Sequence, residues 1–504
     1  MRRLKVGVPG FDEVAQGGLP HGRSTLVAGT SGAGKTLLGL QFLVAGARLF
    51  GETGVLVTLD ERPEDLIANV EGLGWDLEKL IADGQIAVVD ASSISAEETI
   101  ESGSFDFGGL AARIAHAIHT VKASRVVIDP LDAPFAQFTD AVAVRRELGR
   151  VIRTLRPYDV TTLVTAERTE EYGPVARFGV EEFMVDNVII LRNALAHERR
   201  RRTLEILKFR GCDHRKGEYT FAIDPRSGIE VVPTSAIELL EAASTAPISL
   251  GNPELDALCA GGIHGDSVLL VNGATGTGKT LMALQFVSGG LAAGERATLV
   301  SLEESAGQLV RNAASWGMDL ESPLRQGRLR ILSRYPERMG LEDFLVEIKR
   351  ELQDFDPSRL VIDGMSALEQ ISNAKGFREF VVSVYSYLKR HQIAGLLTTT
   401  AKTLSGGDSA SGANLSTAAD GIILLRYLEL EGEVRRGILV LKLRGRRHDH
   451  AIHEYEIDDQ GMHVLGPIGG LSIVLGGASF VTGEVRQRAD LTDALRPTGP
   501  RSPA

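Results

Sequence analysis

Two stretches, STLVAGTSGAGKT (24–36) and SVLLVNGATGTGKT (267–280), decide the fold. Each runs an apolar, strand-like segment into a GxxxxGK[ST] loop and then into a helix-forming segment, the context that a phosphate-binding loop requires. Glycines there let main-chain N–H groups close on phosphate oxygens at a helix N-terminus. The candidate nucleotide contacts are Gly32, Ala33, Gly34, Lys35, Thr36 and Leu37 in the first loop, and Thr275, Gly276, Thr277, Gly278, Lys279, Thr280 and Leu281 in the second. Lys35 and Lys279 are placed to neutralise the β and γ phosphates of ATP, and the hydroxyls of Thr36 and Thr280 to hold Mg2+. One such loop can arise by chance in a glycine-rich chain. Two at matching positions do not.

The matching extends well beyond the loops. Lys35 and Lys279 lie 244 residues apart; Asp60 and Glu303, and the DLE triplets at 76–78 and 319–321, lie 243 apart. RVVID (125–129) and RLVID (359–363), like LKFRG (207–211) and LKLRG (441–445), lie 234 apart. The chain is therefore a tandem repeat of two complete domains, with extra Ser/Gly-rich residues between 79 and 125 of the first copy expected to form a surface loop. We assign 1–245 to the first domain, 246–484 to the second, and 485–504, rich in Pro and Arg, to a disordered tail. Short Val/Ile/Leu runs alternate with amphipathic stretches in each copy, which reads as α/β: a mostly parallel sheet flanked by helices. Ligands in such folds sit at the carboxyl ends of the strands, where the motifs fall.

Composition narrows the function. A chain of 504 residues that is 43% hydrophobic can build two cores. Its formal charge of -11 argues against a nucleic-acid footprint. Cys212 and Cys259 stand far apart and in no ligand pattern, which suits a reducing compartment. No apolar run approaches the length of a membrane span and no signal sequence opens the chain, so a cytoplasmic protein is expected.

Asp129 and Asp363 end apolar strands, where an acid steadies magnesium through water. A lone strand-ending Asp often only caps a turn, and its recurrence in both copies favours the metal role. Paired acids, Asp60 with Glu61 and Glu303 with Glu304, close another strand. Adjacent carboxylates repel, which favours a cation or proton donor beside them, and one can orient or deprotonate an attacking hydroxyl. The copies differ just before their last strands, where Ser416 and Thr417 stand opposite Glu182 and Phe183. Only the second copy offers hydroxyls there as phosphoryl acceptors; the first can pass phosphate only to water.

FDEVAQGGLPHGRSTLVAGTSGAGKT (11–36), TAERTEEYGPVARFGVEEF (165–183), ERRRRTLEILKFRG (198–211), LEESAGQLVRNAASWGMDL (302–320) and STAADGIILL (416–425) together resemble the KaiC family of circadian clock ATPases and autokinases. The resemblance runs from about residue 8 to about 465. It implies two tandem RecA-like P-loop NTPase domains and a two-tiered homohexameric ring with ATP between neighbouring subunits. The first lobe would hydrolyse ATP slowly, and the second would phosphorylate and dephosphorylate itself on Ser416 and Thr417, with Ser411 a transient position. It implies Glu303 as the second lobe's base and a metal-side residue, and Trp316 near the adenine. Lys442, Leu443 and Arg444 would reach a neighbour's nucleotide, as would Lys208, Phe209, Arg210 and His214 in the first lobe. A KaiB-like protein and a downstream histidine kinase are the implied partners. The tail shares little with the segment through which the best-known relatives bind KaiA, so KaiA is not expected to bind.

Asp60 stands where the family usually has Glu, and Pro130 and Gly364 stand where it has Ser. The cluster His448, His450 and His453 has no Cys beside it and is not read as a metal site. Two other readings stay open: a RecA-like DNA-dependent ATPase, and an ATP-gated scaffold that never becomes phosphorylated.

Overall fold

A computed structural model describes residues 2–92, 107–133, 141–179, 181–196, 199–233, 246–338, 340–401, 419–430, 432–468, 471–474 and 478–481. The chain divides into two compact units, Met1–Ala236 and Ile237–Ala504. Most of the Ser/Gly-rich insertion, most of the join between the copies and the tail 485–504 lie outside the described residues.

Each unit is built on a nine-stranded sheet. In the first, the strands are β1 (Ser24–Gly29), β2 (Gly54–Thr58), β3 (Ile86–Asp90), β4 (Arg125–Asp129), β5 (Thr161–Glu167), β6 (Asn187–Ala196), β7 (Arg199–Phe209), β8 (Glu218–Asp224) and β9 (Gly228–Val232). They lie in the order β9-β8-β7-β6-β1-β5-β4-β2-β3, the first six in chain order parallel and the last three antiparallel. The second sheet repeats that order with β10 (Val268–Gly273), β11 (Ala297–Ser301), β12 (Leu329–Ser333), β13 (Arg359–Asp363), β14 (Ala394–Thr400), β15 (Gly421–Leu430), β16 (Glu433–Leu443), β17 (His453–Asp458) and β18 (Gly461–Pro467). The expected α/β architecture, a mostly parallel sheet flanked by helices in each copy, is what forms. β1 and β10 sit between strands that follow much later in the chain, so a crevice opens at their carboxyl ends, where the glycine loops are.

The helices that follow the loops, Lys35–Phe50 and Lys279–Ala292, are apolar nearly all round because they are buried against the sheet. Helices Phe107–Val121 and Ala141–Leu155 cover the other face of the first sheet, where Ile114, Val144 and Val151 fill a second core.

A charge lies at the centre of each unit, and nothing in the sequence pattern announced it. Arg125, the first residue of β4, is fully buried, and Arg359, which opens β13, is 1% exposed. The Arg125 guanidinium donates to Glu52 (2.7 Å) and to the main-chain oxygens of Lys5 (2.8 Å), Val6 (3.2 Å) and Phe42 (2.8 Å). Arg359 repeats the arrangement with Glu295 (2.5 Å) and the carbonyls of Ser249 (2.7 Å) and Phe286 (2.9 Å). Each guanidinium also lies over a ring, Phe42 at 4.5 Å and Phe286 at 4.7 Å. Burial pulls the Arg125 proton affinity down, and Glu52 opposes that pull. One cation thus ties together the strand, the loop helix and the segment that leads into the lobe.

Room for it comes from Gly46 and Gly290, at equivalent points of the two loop helices. A Cβ at Gly46 would lie 2.5 Å from Arg125 Cδ, and one at Gly290 would lie 2.4 Å from Arg359 Nε. Gly→Ala inside a helix ordinarily gains up to about 1 kcal/mol. Gly46→Ala and Gly290→Ala should each instead cost about 1–3 kcal/mol in urea unfolding, because the added methyl overpacks the guanidinium. Arg125→Met should cost about 1–3 kcal/mol by leaving the buried carbonyls of Val6 and Phe42 without their donor.

Candidate functional site

The loop helices begin at Gly34 and Gly278, whose backbones are left-handed at φ 95° and 89°, a conformation only glycine adopts cheaply. Neither helix carries an acid in its first turn, so the positive end of each dipole is left for an anion. Lys35 Nζ donates to the carbonyls of Gly29 (3.0 Å) and Thr30 (3.1 Å), and Lys279 Nζ to that of Ala274 (3.0 Å). Burial pushes the Lys279 proton affinity down, against the pull of Asp363 and Glu303. Ala33 and Leu281 are buried in the cores, so whatever they offer a nucleotide is main chain.

The strand-ending acids meet the loops. Thr280 Oγ1 donates to Asp363 Oδ2 at 2.8 Å, while Thr398 Oγ1 donates to Asp363 Oδ1 at 2.6 Å. In the first lobe Asp129 is held in the same way by Thr36 and Thr165. Burial pushes the Asp129 carboxyl up, and the two hydroxyls and Lys35 draw it back. A hydroxyl and a carboxylate brought together beside a phosphate loop are hard oxygen donors, a set that fits Mg2+ held partly through water. Thr165 and Thr398 were not read from the sequence.

The paired acids stand beside these aspartates, since Thr58 is in register with Asp129 and Ser301 with Asp363. Asp60, Glu61 and Glu303 are exposed and Glu304 is half-buried. A Cβ on Gly364 would lie 3.0–3.2 Å from the Glu303 side chain, so the glycine found there in place of Ser leaves that carboxylate its space. The second acid of each pair is held from the next helix: Asn69 Nδ2 donates to Glu61 (3.2 Å) and Asn312 Nδ2 to Glu304 (2.7 Å). The asparagines are 243 residues apart, so the repeat itself carries the signal for them. Burial and then the surrounding acids push the Glu61 and Glu304 carboxyls up.

The remaining candidates lie elsewhere on the sheet. Phe209 pairs with Asn187 and Leu443 with Gly421, at the ends of β6 and β15 away from the loops; Leu191 and Leu425 are the residues level with Gly29 and Gly273. Four residues separate the two levels, roughly 13 Å along the strand. Lys208, Arg210, Lys442 and Arg444 therefore stand at the far end of the strands from their own lobe's phosphate loop. A β-bulge opposite Val188–Ile189, and its counterpart opposite Ile422–Ile423, re-aims the lysines. Lys208 Nζ reaches the carbonyls of Glu182 (3.1 Å) and Val185 (3.2 Å), and Lys442 Nζ that of Ala419 (2.7 Å). Burial and then the neighbouring arginine push both lysines down. Arg210 faces Asp186 at 3.6 Å, and His214 lies edge-on to Phe209. Phe209 and Leu443, each 7% exposed, point into the cores, so these two have only main chain to offer a ligand. Trp316 is half-buried against the second core. Ser411, Ser416 and Thr417 lie outside the described residues.

Among the described residues no group of three or more His, Cys, Asp or Glu is arranged to hold a metal, and no helix is long and apolar enough to cross a membrane. Two lobes, each with a glycine loop, its lysine and threonine, a strand-end aspartate and an acid pair, define a tandem RecA-like P-loop ATPase. A family model described as "ATPase: KaiC" matches residues 4–236 and again 248–468. The chain is 48% identical over 495 residues to the circadian clock protein KaiC3 of Synechocystis, covering 98% of each chain. It is 46% identical over 502 residues to the circadian clock oscillator protein KaiC of Synechococcus elongatus (99% of this chain, 96% of the other). With the protein of that name from Thermosynechococcus vestitus it shares 47% identity over 464 residues (92% and 89%). The chain belongs to the KaiC family.

The raised Glu304 carboxyl gives a test of the site's electrostatics. Folding favours its neutral form, so the charged form costs stability above the folded pKa. Glu304→Gln should therefore raise Tm at pH 7–8, in EDTA and without nucleotide. That gain should shrink as pH falls through the raised value and vanish below the ordinary carboxyl value of about 4.3.

Proposed function

We propose that this KaiC-family ATPase is an Mg2+-dependent serine/threonine autokinase and autophosphatase of a circadian or other timing system, working as a double-ring homohexamer. The observation that carries this reading is the far-end placement of Lys442 and Arg444. They cannot serve their own lobe's loop, but in a ring they would face the nucleotide held by the next subunit. Lys442 donates to the carbonyl of Ala419, which comes two residues after Thr417 in the chain. An acceptor there would meet a neighbour's γ-phosphate.

In that arrangement Glu303 takes the proton of the Ser416 or Thr417 hydroxyl as its oxygen bonds to the γ-phosphorus. Lys279, with the neighbour's Lys442 and Arg444, offsets the charge that passes to the departing ADP. Bound Mg2+, held from Thr280, Asp363 and Glu303, supplies further charge neutralisation. The first lobe, with Glu182 and Phe183 in place of hydroxyls, passes phosphate to water, Asp60 or Glu61 orienting that water with Thr36 and Asp129 on the metal side. A phosphate at the subunit boundary adds about -1.5 to -2 charges, enough to shift contacts made by arginines. A KaiB-like protein is the proposed partner, with a histidine kinase downstream; KaiA is not proposed, and the proposed compartment is the cytoplasm.

Incubation with Mg-ATP followed by intact mass measurement should show added phosphate in steps of one group, lost in the double variant Ser416→Ala, Thr417→Ala. Unmodified protein, or phosphate that survives the double variant, overturns the reading. Hydrolysis stimulated by DNA without phosphoprotein would return it to a DNA-dependent ATPase. Lys208→Ala with Arg210→Ala should lower first-lobe turnover by about 10³ or more, the usual worth of a cation supplied by a neighbour.

A further inference from the structure

We propose that Glu171 is a positioning residue for the first lobe's phosphate loop, acting through Thr30 on Lys35, and that the second lobe has no counterpart to this clip among its described residues. The inference rests on the reading of the first lobe as an ATP site.

The segment after β5 crosses the rim of the loop. It starts with the Arg168 N–H donating to the Gly29 carbonyl (3.0 Å), and its shape is held by two buried arginines. Arg168 donates to the carbonyls of Gly173 (2.8 Å) and Pro174 (3.0 Å). Arg192 donates to the Glu171 carbonyl (3.1 Å), stacks on Tyr172 with its ring centre 5.0 Å away, and pairs with Glu205 (2.6 Å) and Glu218 (2.8 Å). So held, Glu171 turns its carboxylate to the loop. Oε1 accepts from Thr30 Oγ1 at 2.7 Å and Oε2 from the Asn193 N–H at 2.9 Å. Thr30 in turn gives its carbonyl to Lys35 Nζ at 3.1 Å. One residue's hydroxyl and carbonyl thus connect Glu171 to the loop lysine.

Of the side chains in that chain of contacts, the second lobe keeps the loop lysine, as Lys279, and the arginine on the strand beside the loop. Ala274 replaces Thr30, Tyr427 replaces Asn193, and Leu439 and Ile452 replace Glu205 and Glu218. Arg426, the counterpart of Arg192, has turned to Asn272 Oδ1 (3.0 Å) and the Leu425 carbonyl (3.1 Å). Tyr427 touches the loop directly, its hydroxyl donating to the Thr275 carbonyl at 3.3 Å. The lobes share the machinery around phosphate and differ in what steadies the loop. Loss of the Glu171 clip leaves the first loop to be ordered by ATP itself, which weakens ATP binding in that lobe.

The test uses the full-length chain carrying Lys279→Ala, in which bound and hydrolysed ATP belongs to the first lobe. Equilibrium dialysis gives Kd and steady-state turnover gives KM. Glu171→Ala and Thr30→Val should each raise both by about three- to ten-fold, the worth of one hydrogen bond. The two together should be no worse than either alone, because they break the same contact. Glu171→Gln keeps an acceptor for Thr30 and should hold KM within about two-fold of the parent. Effects of Glu171→Ala and Thr30→Val that multiply, a KM for Glu171→Ala within two-fold of the parent, or a Gln variant as weak as the Ala variant would each overturn the proposal. A parent that binds ATP without turning it over counts against the hydrolytic reading of the lobe, and the clip is then judged on Kd.

Discussion

Each lobe is organised around a guanidinium that has no water to fall back on. Arg125 opens a five-residue strand that Asp129 closes, and it donates to the carbonyl of Phe42 on the helix that begins with Lys35 and Thr36. Burying that charge is tolerable only when every donor finds an acceptor, so the strand and the helix can take one mutual position. That position is also the one that brings the loop threonine to the strand-end aspartate. Arg359 sets Thr280 against Asp363 by the same means. The part of the site that handles phosphate and metal is therefore fixed from the opposite end of the strand, about 13 Å away.

How much of this was legible in the sequence follows from how local each feature is. The glycine loops, the strand-ending aspartates and the acid pairs are short patterns with a fixed spacing, and the repeat doubled every one of them. The mostly parallel sheet of each copy is legible in the alternation of apolar runs with amphipathic stretches, whereas the strand order is not. Arg125 reads locally as the flank of an apolar run, because its partners come from residues 5, 6, 42 and 52, which no local pattern connects. Asn69 and Asn312 were visible in the repeat, but their use depends on a helix folding back over the acids. For Phe209 and Leu443 the resemblance named the position and not the direction of the side chain; both rings and branches are core.

Comparison of the two lobes separates what is held constant from what drifts. The clamp, the bulge behind Lys208 and Lys442, and the threonine–aspartate contact recur in both lobes. The loop rim is not: a carboxylate network lies over one and a tyrosine over the other. Duplicated domains that kept the same interior while changing the rim and the residue types just before their last strands are what two sites with different work would be expected to become.

The clamp also fixes where a lobe begins. Arg359 donates to the carbonyl of Ser249, and Arg125 to those of Lys5 and Val6, so the main chain of the leading residues is part of the clamp rather than an approach to it. Anyone excising the second half to work with it alone has to cut ahead of Ser249. A cut a few residues later leaves a guanidinium facing an empty berth at the heart of the piece, and the fragment's failure would say nothing about whether that half can stand by itself.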